Sequence, residues 1–113
     1  MSGFPVFWQR NVGVLIPVPI NTAAGGDIVI SPAVVNESTK LYRLLLVAGG
    51  ATNITFKDGA TPLSGPIPFS TNSGLVLDFS GDPWYIGSLN TNFIINSSSA
   101  VQVSGTAWIV VSG

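Results

Sequence analysis

The chain contains no histidine and no cysteine, so two of the side chains most used for proton transfer and nucleophilic attack are missing. Without cysteine there are no disulfides and no thiolate ligands for zinc, and the fold must hold by packing and hydrogen-bond ladders alone. Charge is nearly as scarce: four basic and five acidic residues make up 8% of 113 positions, where an average soluble domain carries about 25%. Arg10, Lys40, Arg43 and Lys57 are scattered and the net charge is -1. No basic stripe exists to release counterions from a nucleic acid, and direct binding of DNA or RNA is not expected. Long apolar runs are missing too. The longest, Val12 to Ile20, is interrupted by Gly13, Pro17 and Pro19 and falls well short of the roughly 18 residues of a membrane span. Met1 to Ile20 opens without a basic region and is broken by Pro5, Pro17 and Pro19, so it does not read as a secretion signal.

What is present is apolar and small: 46% hydrophobic residues, a mean hydropathy of +0.52, and 13 glycines. The length fits one domain, able to bury about two-thirds of the surface its unfolded chain exposes. A small apolar domain with so few charges is expected to cover its remaining surface with copies of itself or with a partner.

Short β-branched and aromatic runs recur between Gly, Pro, Asn, Asp and Ser, at the spacing of a sandwich or barrel, and helical periodicity is nearly absent. The expected strands are Val12 to Ile16, Asp27 to Ile30, Lys40 to Ala48, Asn53 to Lys57, Ile67 to Phe69, Leu75 to Phe79, Trp84 to Ile86, Asn92 to Asn96, Ala100 to Val103 and Thr106 to Val111. In Asn53 to Lys57, alternation sets Ile54 and Phe56 on one face and Asn53, Thr55 and Lys57 on the other. Leu44 to Val47 and Trp108 to Val111 are instead apolar on both faces, as in central strands or strands whose outer face meets a neighbouring subunit. Asp58-Gly59, Ala48-Gly49-Gly50, Ser80-Gly81-Asp82-Pro83 and Ser104-Gly105 carry turn chemistry. Val101 to Trp108 reads as a closing hairpin.

Candidates for chemistry are few. Asp27, Glu37, Asp58, Asp78 and Asp82 are the only acids. Asp78 and Asp82 are the closest pair, but Gly81 and Pro83 put a turn around Asp82 rather than a helix that would align the two. No EF-hand spacing is present for Ca²⁺, and Ala48-Gly49-Gly50-Ala51 lacks the pattern of a phosphate loop. A Ser-Lys dyad would need a desolvated Lys40 or Lys57, and neither has an apolar setting. Asn36-Glu37-Ser38, Asn53-Ile54-Thr55 and Asn96-Ser97-Ser98 match the glycosylation sequon, as coincidence allows in a chain rich in these residues. No catalytic residue, metal ligand or cofactor site is assigned, and the chain is read as a non-enzyme.

Aromatic residues are the remaining candidates for contact with partners. Residues 1–20, with Phe4, Phe7 and Trp8 near Pro5, form either a first strand packing on its own core or an arm that docks its rings on a neighbour; residues 21–113 form the sandwich. Trp84 and Tyr85 follow a Gly-Asp-Pro turn, where rings can stack on a sugar, anchor an interface or close the end of the core. Trp108 is assigned to the core or to a trimer axis.

Three stretches carry a family resemblance: "LYRLLLVAGGATNITFKDGATPLSG" (Leu41 to Gly65), "SGLVLDFSGDPWYI" (Ser73 to Ile86) and "LNTNFIINSSSAVQVSGTAWIVV" (Leu89 to Val111). The chain resembles the small capsid decoration, or cement, proteins of tailed phages. In these a V-T-F-K-x-G strand precedes a small-residue L-x-G, an apolar G-L-V-L strand, a turn ending in P-x-W-F and a final A-V-x-V-x-G hairpin. The matching positions are Ile54 to Gly59, Leu63 to Gly65, Gly74 to Leu77, Asp82 to Tyr85 and Ala100 to Gly105. About two-thirds of the chain is covered, and Met1 to Asn36 departs from the pattern. The resemblance implies an all-β, jelly-roll-like, antiparallel β-sandwich of about eight strands that trimerises. It also implies synthesis in the host cytoplasm, a place on the outside of an icosahedral head, and a function of clamping neighbouring major capsid proteins without a cofactor. A tail or fibre module and a carbohydrate-binding module, the latter with Trp84 and Tyr85 as stacking rings and Asp82 or Asn90 as hydroxyl partners, are the alternatives.

Overall fold

A computed structural model describes residues 14–113. Phe4, Phe7 and Trp8 lie outside them. The described chain is all-β and forms ten strands: β1 (Ile16–Thr22), β2 (Gly26–Ser31), β3 (Ser38–Ala48), β4 (Thr52–Asp58), β5 (Thr61–Pro62), β6 (Ile67–Phe69), β7 (Ser73–Leu77), β8 (Tyr85–Ile86), β9 (Phe93–Ser97) and β10 (Val103–Ser112). Sheet A has the order β1-β10-β3-β7, with β8 also paired to β3; sheet B has the order β2-β9-β4-β5, with β6 also paired to β4. All pairings are antiparallel. Each sheet therefore has four strand positions, and the ten strands fill eight places because β7 and β8 share one side of β3 while β5 and β6 share one side of β4. The chain crosses between sheets at each step from β1 to β4, and β1 and β10 lie side by side, which is the path of a jelly roll.

Alternation builds the core. Ile54 and Phe56 of β4, Leu41, Leu44 and Leu46 of β3, Phe93 and Ile95 of β9 and Val103 of β10 are fully buried between the sheets. Their odd-numbered or even-numbered neighbours turn outward, so a one-residue slip would expose the whole set.

The strands differ from expectation at both ends of the chain. The first described strand runs from Ile16 to Thr22 rather than Val12 to Ile16, crosses the boundary drawn at residue 20, and holds a continuous register with β10 through Pro17 and Pro19. Two residues apart, both prolines lack their N–H on the same side of the strand, and among the described residues β1 is an edge of sheet A, the place in a sheet where that gap is tolerated. At the other end the closing hairpin does not form. Ala100 and Val101 precede one continuous strand, β10, and Gly105 sits within it opposite Leu46. Gly105 has φ +150°, and a Cβ there would collide with the Leu45 carbonyl oxygen. Its glycine serves a close approach of two backbones, which looks the same in sequence as a turn glycine. β7 also stops at Leu77, two residues before the expected end. β5, formed by Thr61 and Pro62 opposite Asp58 and Lys57, is too short to register as a strand in sequence.

Candidate partner interface

The two outer faces of the sandwich differ in chemistry. On sheet B, Asp27 of β2, Asn96 of β9 and Lys57 of β4 come together: Asp27 Oδ1 accepts from Asn96 Nδ2 at 2.7 Å and from Lys57 Nζ at 3.2 Å. The Asn96 hydrogen bond and then the lysine hold the Asp27 carboxyl below its ordinary range, since both favour the charged form. This cluster is polar and internally satisfied, and Val29 of β2 stands exposed on the same face.

Sheet A has the opposite character. Pairing aligns Pro17, Trp108 and Arg43 in one row, Pro19, Thr106, Leu45 and Val76 in the next, and Asn21, Ser104, Val47 and Gly74 in a third. Because β3 is central, its alternation sends Leu44 and Leu46 into the core and leaves Leu45 and Val47 outside, 45% and 39% exposed. Val76 beside them is 57% exposed. The second and third rows carry no charge. In the first, the Arg43 guanidinium carbon stands 4.7 Å from the centroid of the Trp108 ring, a cation–π contact over the indole face. Trp108 is thus half-buried on the outer face and is not a core residue.

Trp84 and Tyr85 separate. Tyr85 turns inward and its ring stacks on Phe56, centroids 4.6 Å apart. Trp84 turns outward, 46% exposed, with Nε1 donating to the Asp78 carbonyl at 2.8 Å. Phe79, also exposed, stacks on the buried Tyr42 at 5.8 Å. Trp84 and Phe79 are thus two exposed rings near the end of β7. With the Tyr85 ring on Phe56 and the Trp84 ring exposed, the two form no common platform.

Lys57, Asp58 and Lys40 are tied into structure. Lys57 and Asp58 are not partners of each other. Lys57 reaches Asp27 across β9, while Asp58 accepts from the Ser88 N–H at 3.0 Å and the Ser88 hydroxyl at 2.6 Å. Gly59, with φ +60°, makes the two-residue reversal between β4 and β5.

Lys40 does lie against serines. Its ammonium donates to Ser38 Oγ and Ser112 Oγ, each at 3.0 Å. The Ser38 hydroxyl in turn donates to the Ser112 carbonyl at 3.4 Å. The group clips the end of β10 to the start of β3. Among the described residues no cluster of three or more His, Cys, Asp or Glu side chains is placed to hold a metal ion.

An open depression of about 360 Å³ lies between Thr52, Asn53, Pro68, Phe69, Ser98 and Ser99. Two of its hydroxyls are engaged internally: Thr52 Oγ1 meets Ser97 Oγ at 2.8 Å and accepts from the Ser99 N–H at 3.1 Å, and Ser98 Oγ accepts from the Asn53 N–H at 2.9 Å. It offers no charged group to a ligand.

The outer face of sheet A was half legible in sequence, through the unbroken apolar run Leu44 to Val47. Val76 and the prolines beside that run could be joined to it only by strand order. Compared with known protein families, curated proteins and solved structures, the chain matches none.

Proposed function

We propose that this chain is a structural virion protein, a decoration or cement protein that binds the outside of an icosahedral phage head as a homo-oligomer, a trimer by the family resemblance. Made in the host cytoplasm, it bridges neighbouring major capsid proteins and stabilises the assembled shell by binding it more tightly than its separated parts. The observation that carries this reading is the contrast between the two outer faces. Sheet B carries the Asp27–Lys57 pair and an exposed Val29, whereas sheet A presents Leu45, Val47 and Val76 uncovered side by side. Exposed apolar patches on small domains mark surfaces for other macromolecules. The jelly-roll path supports the same reading, though one fold serves many functions. Separation of Trp84 from Tyr85 counts against the carbohydrate-binding alternative.

The test is binding of the purified chain to phage heads stripped of decoration. Saturation at a fixed number of copies per capsomer is expected. No binding to heads, together with retention on polysaccharide, would overturn the reading in favour of the carbohydrate module. Removal of residues 1–10 tests the proposed part played by Phe4, Phe7 and Trp8: head binding weakens if they are contacts, and unchanged binding by a folded chain removes them from the interface.

A further inference from the structure

We propose that residues 4–8 of this chain, Phe4-Pro5-Val6-Phe7-Trp8, fold back over the outer face of sheet A of the same molecule and cover Leu45, Val47 and Val76 in the free protein. The receiving surface is a continuous apolar field. Leu45 of β3 stands opposite Val76 of β7, Val47 lies two residues further along β3, and Pro19 of β1 closes the Leu45 row on the other side. No charge stands in that row or in the next, which runs from Asn21 through Ser104 and Val47 to Gly74.

The point from which the segment departs selects this face. The described chain begins at Val14, and Ile16 opens β1 at an edge of sheet A. A segment that precedes β1 has three ways back over the domain. The space between the sheets is already filled, with Leu44, Leu46, Phe56 and Ile95 fully buried there. A further strand beside β1 would meet Pro17 and Pro19, which have no N–H to give. The outer face is the way left, and Gly13, just before Val14, is the residue type suited to a reversal.

The reach fits as well. Pro19 lies three residues along β1 from Ile16, and Val76 lies three strands across from Pro19. At about 3.3 Å per residue and about 4.8 Å per strand, Val76 is about 10 Å along and about 14 Å across from the start of β1. Trp8 precedes Ile16 by eight residues and Phe4 by twelve, which gives about 26 Å and about 40 Å of extended chain. Both rings therefore reach the field with length to spare for a turn. Contact removes two apolar surfaces from water together, and Arg10 is the one charged side chain in residues 1–13. Tethering favours the chain's own segment over a second copy, because a short linker holds it at an effective concentration of about millimolar.

The inference concerns the free chain and does not rest on the capsid reading. The chain has no cysteine, so Gln9→Cys accepts a single nitroxide spin label beside Trp8, and amide NMR of the full chain reads its distance from each sheet. The signals of Leu45, Val47 and Val76 are expected to lose most of their intensity and to recover when the label is reduced. Those of Val29 and Thr55, in β2 and β4 of sheet B, are expected to keep theirs. Phe7→Ser combined with Trp8→Ser abolishes this difference between the faces, Val76→Lys reduces it, and Val29→Lys leaves it unchanged. Amide shifts elsewhere confirm that each variant is folded.

A label that broadens both sheets alike, or neither, overturns the inference. So does a difference that survives the substitutions in residues 7 and 8 and at Val76. In a one-to-one mixture of spin-labelled chain and isotope-enriched chain without label, the enriched signals are expected to stay sharp. Broadening of Leu45 and Val76 in that mixture would assign the face to a neighbour's segment and overturn the inference. A chain that shows the difference between faces yet does not bind heads removes the capsid reading alone. One that binds heads without showing it removes this inference alone.

Discussion

Gly105 and Leu45 are packed so closely that a single methyl group on the glycine would occupy the position of the leucine carbonyl oxygen. The obstacle is backbone of the central strand, which cannot rotate away as a side chain can, and φ +150° is unfavourable for any residue with a Cβ. Gly105→Ala is therefore expected to destabilise the fold by about 3 kcal/mol or more, by forcing β10 from β3. Gly59→Ala makes the contrast: its φ is +60°, and its Cβ would meet only the Thr91 methyl, so a cost of about 1 to 2 kcal/mol is expected. Urea unfolding of both variants checks the order; a Gly105→Ala chain as stable as Gly59→Ala refutes this account of the glycine.

Tyr85 and Trp84, adjacent in sequence, should respond differently to truncation. Tyr85 stacks on the fully buried Phe56 and packs against the core, so Tyr85→Ala is expected to cost about 2 to 4 kcal/mol in stability. Trp84 loses one hydrogen bond to Asp78 and some exposed surface, and Trp84→Ala should cost about 1 kcal/mol. Thermal melts followed by circular dichroism measure both. Equal losses would show that the outward ring also supports the fold.

The same pair shows where sequence reasoning stopped. Local alternation was enough to place Ile54 and Phe56 inside and Thr55 and Lys57 outside, because a two-residue period needs no knowledge of neighbouring strands. It was also enough to see that Leu45 and Val47 would be left over. It could not say that Tyr85 turns inward while Trp84, just before β8, turns outward, since a two-residue strand is too short to show a period. Gly105 misled for a related reason: a glycine after serine marks a turn in most contexts, and only the approach of β3, far away in sequence, makes it a strand residue. The Lys57 to Asp27 pair spans 30 positions and depends on β9 lying between β2 and β4, an order that no local pattern contains.

Pro17 and Pro19 are expected to protect the edge of sheet A formed by β1. Their missing donors fall on one side of the strand, so a second chain cannot pair continuously there. Replacing both with threonine, which suits strands and adds no apolar surface, should accelerate aggregation on heating while β1 keeps its pairing with β10. Light scattering during a slow thermal ramp gives the readout. Aggregation no faster than in the wild type would show that another feature guards this edge.

Acid should weaken the sheet B surface through Asp27. Hydrogen bonding to Asn96, and secondarily to Lys57, depresses its folded pKa, so the unfolded chain takes up the proton first as pH falls. The group therefore contributes stability that is complete above the ordinary carboxylate pKa of about 4 and is lost as pH falls through the lower, folded value. The side chain is 46% exposed, and screening limits the contribution to about 1 kcal/mol or less. Asp27→Asn should remove this part of the acid dependence, bringing the stability of variant and wild type closer together from about pH 5 to pH 2. Because Asn96 is the larger cause, Asn96→Ala should erase more of the difference than Lys57→Met, and high salt should reduce the lysine contribution more than the amide one. A greater loss from Lys57→Met would reverse that ranking and make the interaction chiefly an ion pair.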